Sequence, residues 1–377
     1  MRINDYMNYN FRMPTEIISG YGAIEKNADK LVLGKCALIV TGKRSAKACG
    51  ALDDVTAVLD SFGIKHAVFD KVMENPLLSV CFEGGQFARQ NGADFVIAIG
   101  GGSPIDAAKA ISAFAANPGI EPMEIYTANL NPSFPIVAIP TTAGTGSEVN
   151  PYSVLTLDGK NVKKTFNRPM SYPKYAILDP KYTYSLSVDY TVSTALDAFC
   201  HCIESYLSPK AGEISRLFAL DGAKRIYSAL VDIENSMADT LGKLEPYREQ
   251  LLYGACAGGI AINATGTGFN HPLGYNLTLY NGISHGRACG AFMKEYLTYN
   301  SLTGKGKTLI ESFASALGDT PDNVAENIVK WSNVSVKLTG EEIALYVANV
   351  KGASNYANSP YVINETEMKE IYTKLFG

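Results

Sequence analysis

The chain's 377 residues are about two and a half times the length of a typical single domain, so two domains are expected. Its 33 basic and 37 acidic residues leave a net charge of −4, which excludes a surface built to neutralise many nucleic-acid phosphates. Apolar residues make up 46% and charged residues 19%, which excludes general disorder and leaves room for a sizeable contact between subunits.

No apolar run is long enough to span a membrane, and Met1-Arg-Ile-Asn-Asp-Tyr6 carries no signal-peptide core. The seven cysteines are scattered without a CxxC pair, which argues against a disulfide framework or a zinc ribbon. A cytoplasmic protein with reduced thiols and no membrane partner is the expectation.

In chain order, residues 37–41, 66–70, 95–99 and 135–139 are short, β-branched-rich runs whose near-continuous apolarity fits strands buried on both faces. Helix-length amphipathic stretches at 51–62, 77–90 and 104–116 lie between them. This alternation predicts a parallel, Rossmann-like sheet with helices on its faces; the hairpin turns that an antiparallel sheet needs are not evident. Residues 172–180 read as a last strand and a turn. From about Tyr184 the texture becomes helical, at 193–207, 213–233, 246–264, 307–317 and 321–331. The expected organisation is an α/β domain over 1–184 and an all-helical domain over 185–377.

Gly100-Gly-Gly-Ser-Pro-Ile-Asp-Ala-Ala-Lys109 follows the run 95–99 directly. Glycines at the strand exit let backbone N–H groups approach a bulky anion. Ser103 reads as an N-cap, Pro104 as the first helical residue and Asp106 as the far half of a capping box. A helix start of this kind suits a nucleotide pyrophosphate, held at Gly101, Gly102 and Ser103; a ligand-free strand–helix turn is the alternative. Pro140-Thr-Thr-Ala-Gly-Thr-Gly-Ser-Glu148 repeats the logic after the next strand, with hydroxyls at Thr141, Thr142 and Thr145. Thr41-Gly-Lys-Arg-Ser45 ends another strand. An acidic residue there would accept from a ribose 2′-hydroxyl. Gly42 followed by Lys43, Arg44 and Ser45 instead suits a 2′-phosphate, which leans toward NADP(H) over NAD(H), unless the segment is only a solvated basic turn.

The four histidines are His66, His201, His271 and His285. His66 opens a predicted strand with no acidic partner close in sequence and reads as structural. Asp197 and His201 are four apart on a predicted helix, hence on one face, a spacing shared by metal pairs and ordinary ion pairs. His271 and His285 each sit beside glycine or proline, near element ends where the backbone can close on a ligand. One carboxylate and three imidazoles form an N₃O donor set that fits Fe²⁺, Zn²⁺, Ni²⁺ or Co²⁺. With neutral imidazoles such a site keeps one net positive charge and acts as a Lewis acid on a substrate oxygen.

Taken together, Gly20-Tyr-Gly22, Asn75-Pro76, Gly100 to Asp106 with Lys109, Pro140 to Val149, Asp197-Ala-Phe-Cys-His201, His271 and His285-Gly-Arg287 resemble the iron-dependent (group III) alcohol dehydrogenases across the whole chain. The resemblance is closest to NADP-linked members of the 1,3-propanediol or butanol type, with a dehydroquinate synthase-like architecture. It implies Asp197, His201, His271 and His285 as ligands of Fe²⁺ (or Zn²⁺). It implies Gly101, Gly102 and Ser103 at the pyrophosphate, with Asp106 ordering the loop. Thr141, Thr142, Thr145, Asn75 and Lys163 would line the rest of the cofactor path. Many members carry a histidine where this chain has Tyr275, a phenol whose ordinary pKa of about 10 makes it a poor base at neutral pH.

The implied reaction is hydride transfer between NAD(P)H and a small alcohol or aldehyde, in a homodimer or higher assembly. A non-redox lyase of the dehydroquinate-synthase type, with bound NAD and zinc, is the alternative. Phe269, Leu273, Tyr275 and Leu277, taken as pocket walls, look too apolar for its polyanionic substrate.

Overall fold

The computed structural model describes residues 9–159, 162–236 and 241–377. Two compact units emerge, one from residues 13–187 and 241–252, the other from 9–12, 188–236 and 253–377.

The α/β unit contains strands β1 (Glu16–Ser19), β2 (Cys36–Thr41), β3 (Lys65–Phe69), β4 (Phe95–Gly100), β5 (Ile136–Pro140), β6 (Tyr152–Leu157), β7 (Val162–Asn167) and β8 (Tyr175–Leu178). Six of them form a parallel sheet in the order β1-β8-β5-β4-β2-β3. The register sets Ala37 beside Phe95 and Gly100 beside Pro140. Every residue of β2, β4 and β5 is buried, which is why these runs are apolar without alternation.

Helices α1 (Ala23–Lys26), α2 (Ser45–Ala48), α3 (Ala51–Ser61), α4 (Leu78–Gln90) and α5 (Gly102–Ala116) cover the sheet. Val55 and Leu59 of α3 share one core cluster with Ile39, Ile97 and Ile139. On the other face, Cys81 of α4 and Ile105 and Ile111 of α5 pack with Leu38, Val96 and Ala98. Alternate strand residues thus feed opposite cores, the period-2 geometry of a pleated strand. Gly84 lets α4 lie against α5, since a Cβ there would come within 2.6 Å of the Ile111 Cδ1.

The strand order reverses between β2 and β4, and open α/β sheets bind ligands at the carboxyl ends beside such a reversal. Gly42 leaves β2 at that edge and Gly101 leaves β4 there.

The sequence gives no sign of the antiparallel pair β6–β7, in which Tyr152 faces Asn167 and Leu157 faces Val162. Most of β7 is exposed or half-buried, so it lacks the apolar signature of the sheet strands.

The second unit is helical, built from α6 (Val188–Leu207), α7 (Glu213–Asn235), the later part of α8 (Leu241–Thr265), α9 (Asn270–Asn281), α10 (His285–Gly290), α11 (Met293–Asn300), α12 (Gly304–Ala316), α13 (Pro321–Ser332), α14 (Gly340–Val350) and α15 (Glu365–Phe376). No helix among the described residues is long and apolar enough to cross a membrane.

Candidate active site

In the helical unit, α6 is buried continuously from Ala195 to Leu207, so any charged group on it needs a partner. Asp197, His201 and Glu204 recur at i, i+4 and i+7 along one face and are 4%, 5% and 0% exposed. His271 is the second residue of α9, and His285 is the first of α10 after the left-handed Gly282 (φ 69°). Gly286 lets α10 press onto α6: a Cβ there would fall 2.8 Å from the Asp197 backbone nitrogen.

These elements converge on one oxygen. The Nε2 atoms of His201, His271 and His285 lie 3.6, 3.4 and 3.8 Å from Asp197 Oδ1. Asp197 Oδ1 and His271 Nε2 are both buried without a hydrogen-bond partner. Ligand atoms about 2.1 Å from a tetrahedral divalent ion stand about 3.4 Å from one another. The separations are therefore long for hydrogen bonds and suited to the edges of a coordination shell, so the donor set fits a divalent metal. The His201 and His271 rings stack with centroids 4.8 Å apart, and Tyr275 stacks on His285 at 5.5 Å.

Charge agrees with geometry. Burial would raise the Asp197 pKa, but the surrounding imidazoles reverse this and hold the carboxyl well below its usual range. Burial would lower His271, but Glu204 and Asp197 more than offset it and raise the ring to about 10.

Two participants escaped the sequence reading. Glu204 Oε2 lies 2.5 Å from His271 Nδ1, an ion-pair contact without the alignment of a hydrogen bond, and its Oε1 accepts from the Asn270 N–H at 3.0 Å. Cys289 Sγ lies 3.7 Å from His285 Nε2, and its donor atom shares a 4.8 Å cluster with those of Asp197, His271 and His285. The available signals were Glu204 one helical step beyond Asp197 and His201, and Cys289 four residues after His285. Cys200 and Cys202, read as packing residues, are fully buried.

In the α/β unit, the helix after the glycines starts earlier than expected. α5 begins at Gly102 with Gly101 as N-cap and no side chain capping it, so Ser103 is not the N-cap and Pro104 is not the first helical residue. Longer-range partners take those side chains. Ser103 Oγ accepts from the Asn75 N–H at 3.3 Å, while the Asp106 carboxylate accepts from Ser147 Oγ at 2.5 Å and the Val154 N–H at 2.9 Å. The helix start thus keeps backbone donors uncapped by side chains, which fits an anion better than a capped terminus would.

The two strand-exit loops touch. Gly100 has φ 152°, a conformation that side chains rarely adopt, and a Cβ on Gly101 or Gly102 would meet Thr142 at 3.0 Å or Thr145 at 2.6 Å. Thr141 is buried, and its N–H donates to the Gly100 carbonyl at 2.9 Å. Lys109, fully buried, donates to Ser147 Oγ and to the Tyr152 carbonyl at 2.6 Å each, 3.6 Å from Asp106. Burial lowers Lys109 to about 8 against the pull of Asp106 and Glu148, and raises Glu148 to about 7.

Gly42 approaches the Val72 carbonyl closely, with a Cβ position 3.3 Å away, while Lys43 and Ser45 are exposed. Asn75 adopts a left-handed φ of 56°. Lys163 pairs in register with Thr156, whose N–H donates to the Pro76 carbonyl at 2.8 Å. The hairpin therefore brings Lys163 near the Asn75-Pro76 segment.

Two expectations need correction. Phe269, Leu273 and Leu277 are 0% exposed; they belong to the helical core and are not pocket walls. On α9, Leu273 and Leu277 share one face, whereas His271 and Tyr275 share another. His66, read without an acidic partner, lies 3.7 Å from Asp60, which the helix–strand connection brings back to it.

Residues 14–180 match the family described as iron-containing alcohol dehydrogenase, and residues 191–376 match the C-terminal part of the Fe-containing alcohol dehydrogenase family. A long-chain primary alcohol dehydrogenase of Thermoanaerobacter ethanolicus is 33% identical, over 100% of this chain and 99% of its own. An NAD-dependent methanol dehydrogenase of Bacillus methanolicus is 31% identical over 77% of this chain and 76% of its own. An iron-containing alcohol dehydrogenase structure from Thermotoga maritima superposes with a TM-score of 0.87, at 33% identity, over 98% of this chain and 100% of that one. These relatives are oxidoreductases, so the non-redox lyase reading is not favoured.

Proposed function

The chain belongs to the iron-containing alcohol dehydrogenase family, and on that premise we propose that it interconverts short-chain primary alcohols or diols and their aldehydes, with NADP(H) preferred over NAD(H). Asp197, His201, His271 and His285 would hold a divalent metal, Fe²⁺ or Zn²⁺, which when bound polarises the carbonyl oxygen. The nicotinamide supplies or accepts the hydride.

The chain's own residues do the rest. N–H groups at the start of α5 bind the pyrophosphate, with Gly101, Gly102 and Ser103 against Thr142 and Thr145. Thr141 orders the second loop through its bond to Gly100, and Asp106 orders the first through Ser147. Asn75 and Lys163 border the same loops. Gly42 offers no carboxylate to repel a 2′-phosphate, and exposed Lys43 and Ser45 supply a cation and a hydroxyl; this supports the preference for NADP(H). The Tyr275 phenol, stacked on His285, would hydrogen-bond the substrate oxygen or pass a proton to it.

The observation that carries this reading is the convergence of three imidazoles on one buried, unsatisfied carboxylate oxygen, Asp197 Oδ1. Named substrates of the relatives run from methanol to long-chain alcohols, so chain length needs direct measurement. Anaerobic absorbance at 340 nm with NADPH or NADH and a series of aldehydes, before and after metal removal, tests the proposal. Metal-dependent oxidation favouring NADPH is expected; no turnover in any metal state would overturn it. We further propose a cytoplasmic homodimer or larger assembly, supported by the low charge content, with light scattering as its check.

A further inference from the structure

We propose that Glu204 is a positioning residue for the metal: it keeps the proton of His271 on Nδ1, so that the Nε2 lone pair faces Asp197. This deepens the metal-site reading above and rests on it.

The argument begins with the imidazole, which has two nitrogens and ligates through the one without a proton. A ring held only by packing can carry its proton on either nitrogen, or turn over. His271 is not held in that way. Glu204 is 0% exposed and sits 2.5 Å from Nδ1, while Nε2 sits 3.4 Å from Asp197 Oδ1. A carboxylate this close to Nδ1 favours the proton there and leaves Nε2 as the donor.

The second oxygen of Glu204 accepts from the Asn270 N–H at 3.0 Å, one residue before His271. One carboxylate therefore holds the backbone that delivers the ring and sets its charge against the ring's Nδ1. Its origin on α6, one step beyond Asp197 and His201, ties the α9 ligand to the helix that carries two others.

Charge supplies an independent reason. Asp197 and Glu204 together bring two negative charges, and three neutral imidazoles bring none, so a divalent ion makes the site neutral. Counting Asp197 alone left one positive charge in a buried place, which is costly. Outer carboxylates on metal-binding histidines typically change affinity by about 10–100-fold when removed.

The test measures Zn²⁺ affinity by competition with a chromophoric chelator, for the unaltered chain, Glu204→Gln, His271→Ala and the double variant. Glu204→Gln is expected to weaken zinc binding by about 10–100-fold while leaving NADPH binding unchanged. In the His271→Ala background the same change is expected to add nothing, because Glu204 acts through that ring. Zinc affinity unaffected by Glu204→Gln, or an equal loss with His271 already removed, would overturn the proposal.

A measurement on the unaltered chain stands in if the variants do not fold. In ¹⁵N-histidine-labelled, zinc-loaded protein, the His271 signal should be that of an Nδ1–H tautomer, and an Nε2–H tautomer would contradict the assignment. Zinc binding that depends on Glu204, in a protein that reduces no aldehyde, would overturn the proposed reaction and leave the role of Glu204 standing.

Discussion

The Lys109 ammonium donates to the Ser147 hydroxyl at 2.6 Å, joining the helix that follows β4 to the loop that follows β5. Asp106 accepts from the same hydroxyl at 2.5 Å, so one serine is held by both members of an ion pair whose cation is fully buried and whose carboxylate is mostly so. Lys109→Met leaves the Asp106 carboxylate without its cation. A stability loss of about 3–5 kcal/mol is expected in denaturant unfolding, with weaker NADPH binding if the two loops hold the cofactor as proposed, because both lose a common anchor. An unchanged unfolding midpoint would show that the network is dispensable.

Metal uptake should depend on pH in a definite sense. Although burial pulls His271 down, Glu204 and Asp197 raise it to about 10, and an incoming metal must displace that proton. Affinity should therefore rise about tenfold per pH unit from this ring alone, up to about pH 10. The same shift stabilises the metal-free fold fully below the ordinary value of 6.5, and that stability is lost as pH climbs toward about 10. Chelator competition and thermal melts across this range check both statements.

Gly286 is where α10 meets α6. Its substitution by alanine places a methyl 2.8 Å from the Asp197 nitrogen and nearer still to the Ser193 carbonyl. Overpacking of this kind costs about 1–3 kcal/mol, and the displaced helix carries His285 with it. Gly286→Ala should lower both the melting temperature and the zinc affinity, whereas alanine at Gly340, where a Cβ would meet nothing, should leave zinc affinity unchanged.

Gly42→Asp tests the cofactor preference. A carboxylate there would repel a 2′-phosphate and accept from a 2′-hydroxyl. NADPH binding should weaken by at least about tenfold while NADH binding holds or improves. Equal effects on both cofactors would separate Gly42 from the adenosine ribose.

What the sequence makes legible follows from how local each signal is. β2, β4 and β5 are buried on both faces, so their runs are continuously apolar and stand out. The pair β6–β7 is specified by its mutual partners, and the exposure of Lys164 and Thr165, on opposite faces of β7, hides it. Ser103-Pro104 satisfies the local rule for a helix start, yet the helix begins before it, because Asp106 and Ser103 bond to residues far along the chain. The four histidines are scarce enough to be weighed singly, and the structure brings three of them to Asp197. Glu204 has the right helical spacing, but acids on helices are common, and only its contact with His271 distinguishes it. Phe269, Leu273 and Leu277 show the opposite error, since an apolar residue beside a ligand in sequence can belong to the opposite face of its helix.

The most direct test of the account is the position of the metal. Crystals of zinc-loaded protein, measured on both sides of the zinc absorption edge, should give one strong anomalous peak about 2.0–2.2 Å from Asp197 and from the Nε2 atoms of His201, His271 and His285. Zinc bound elsewhere, or held by Cys289 in place of His201 while aldehyde reduction persists, would contradict it.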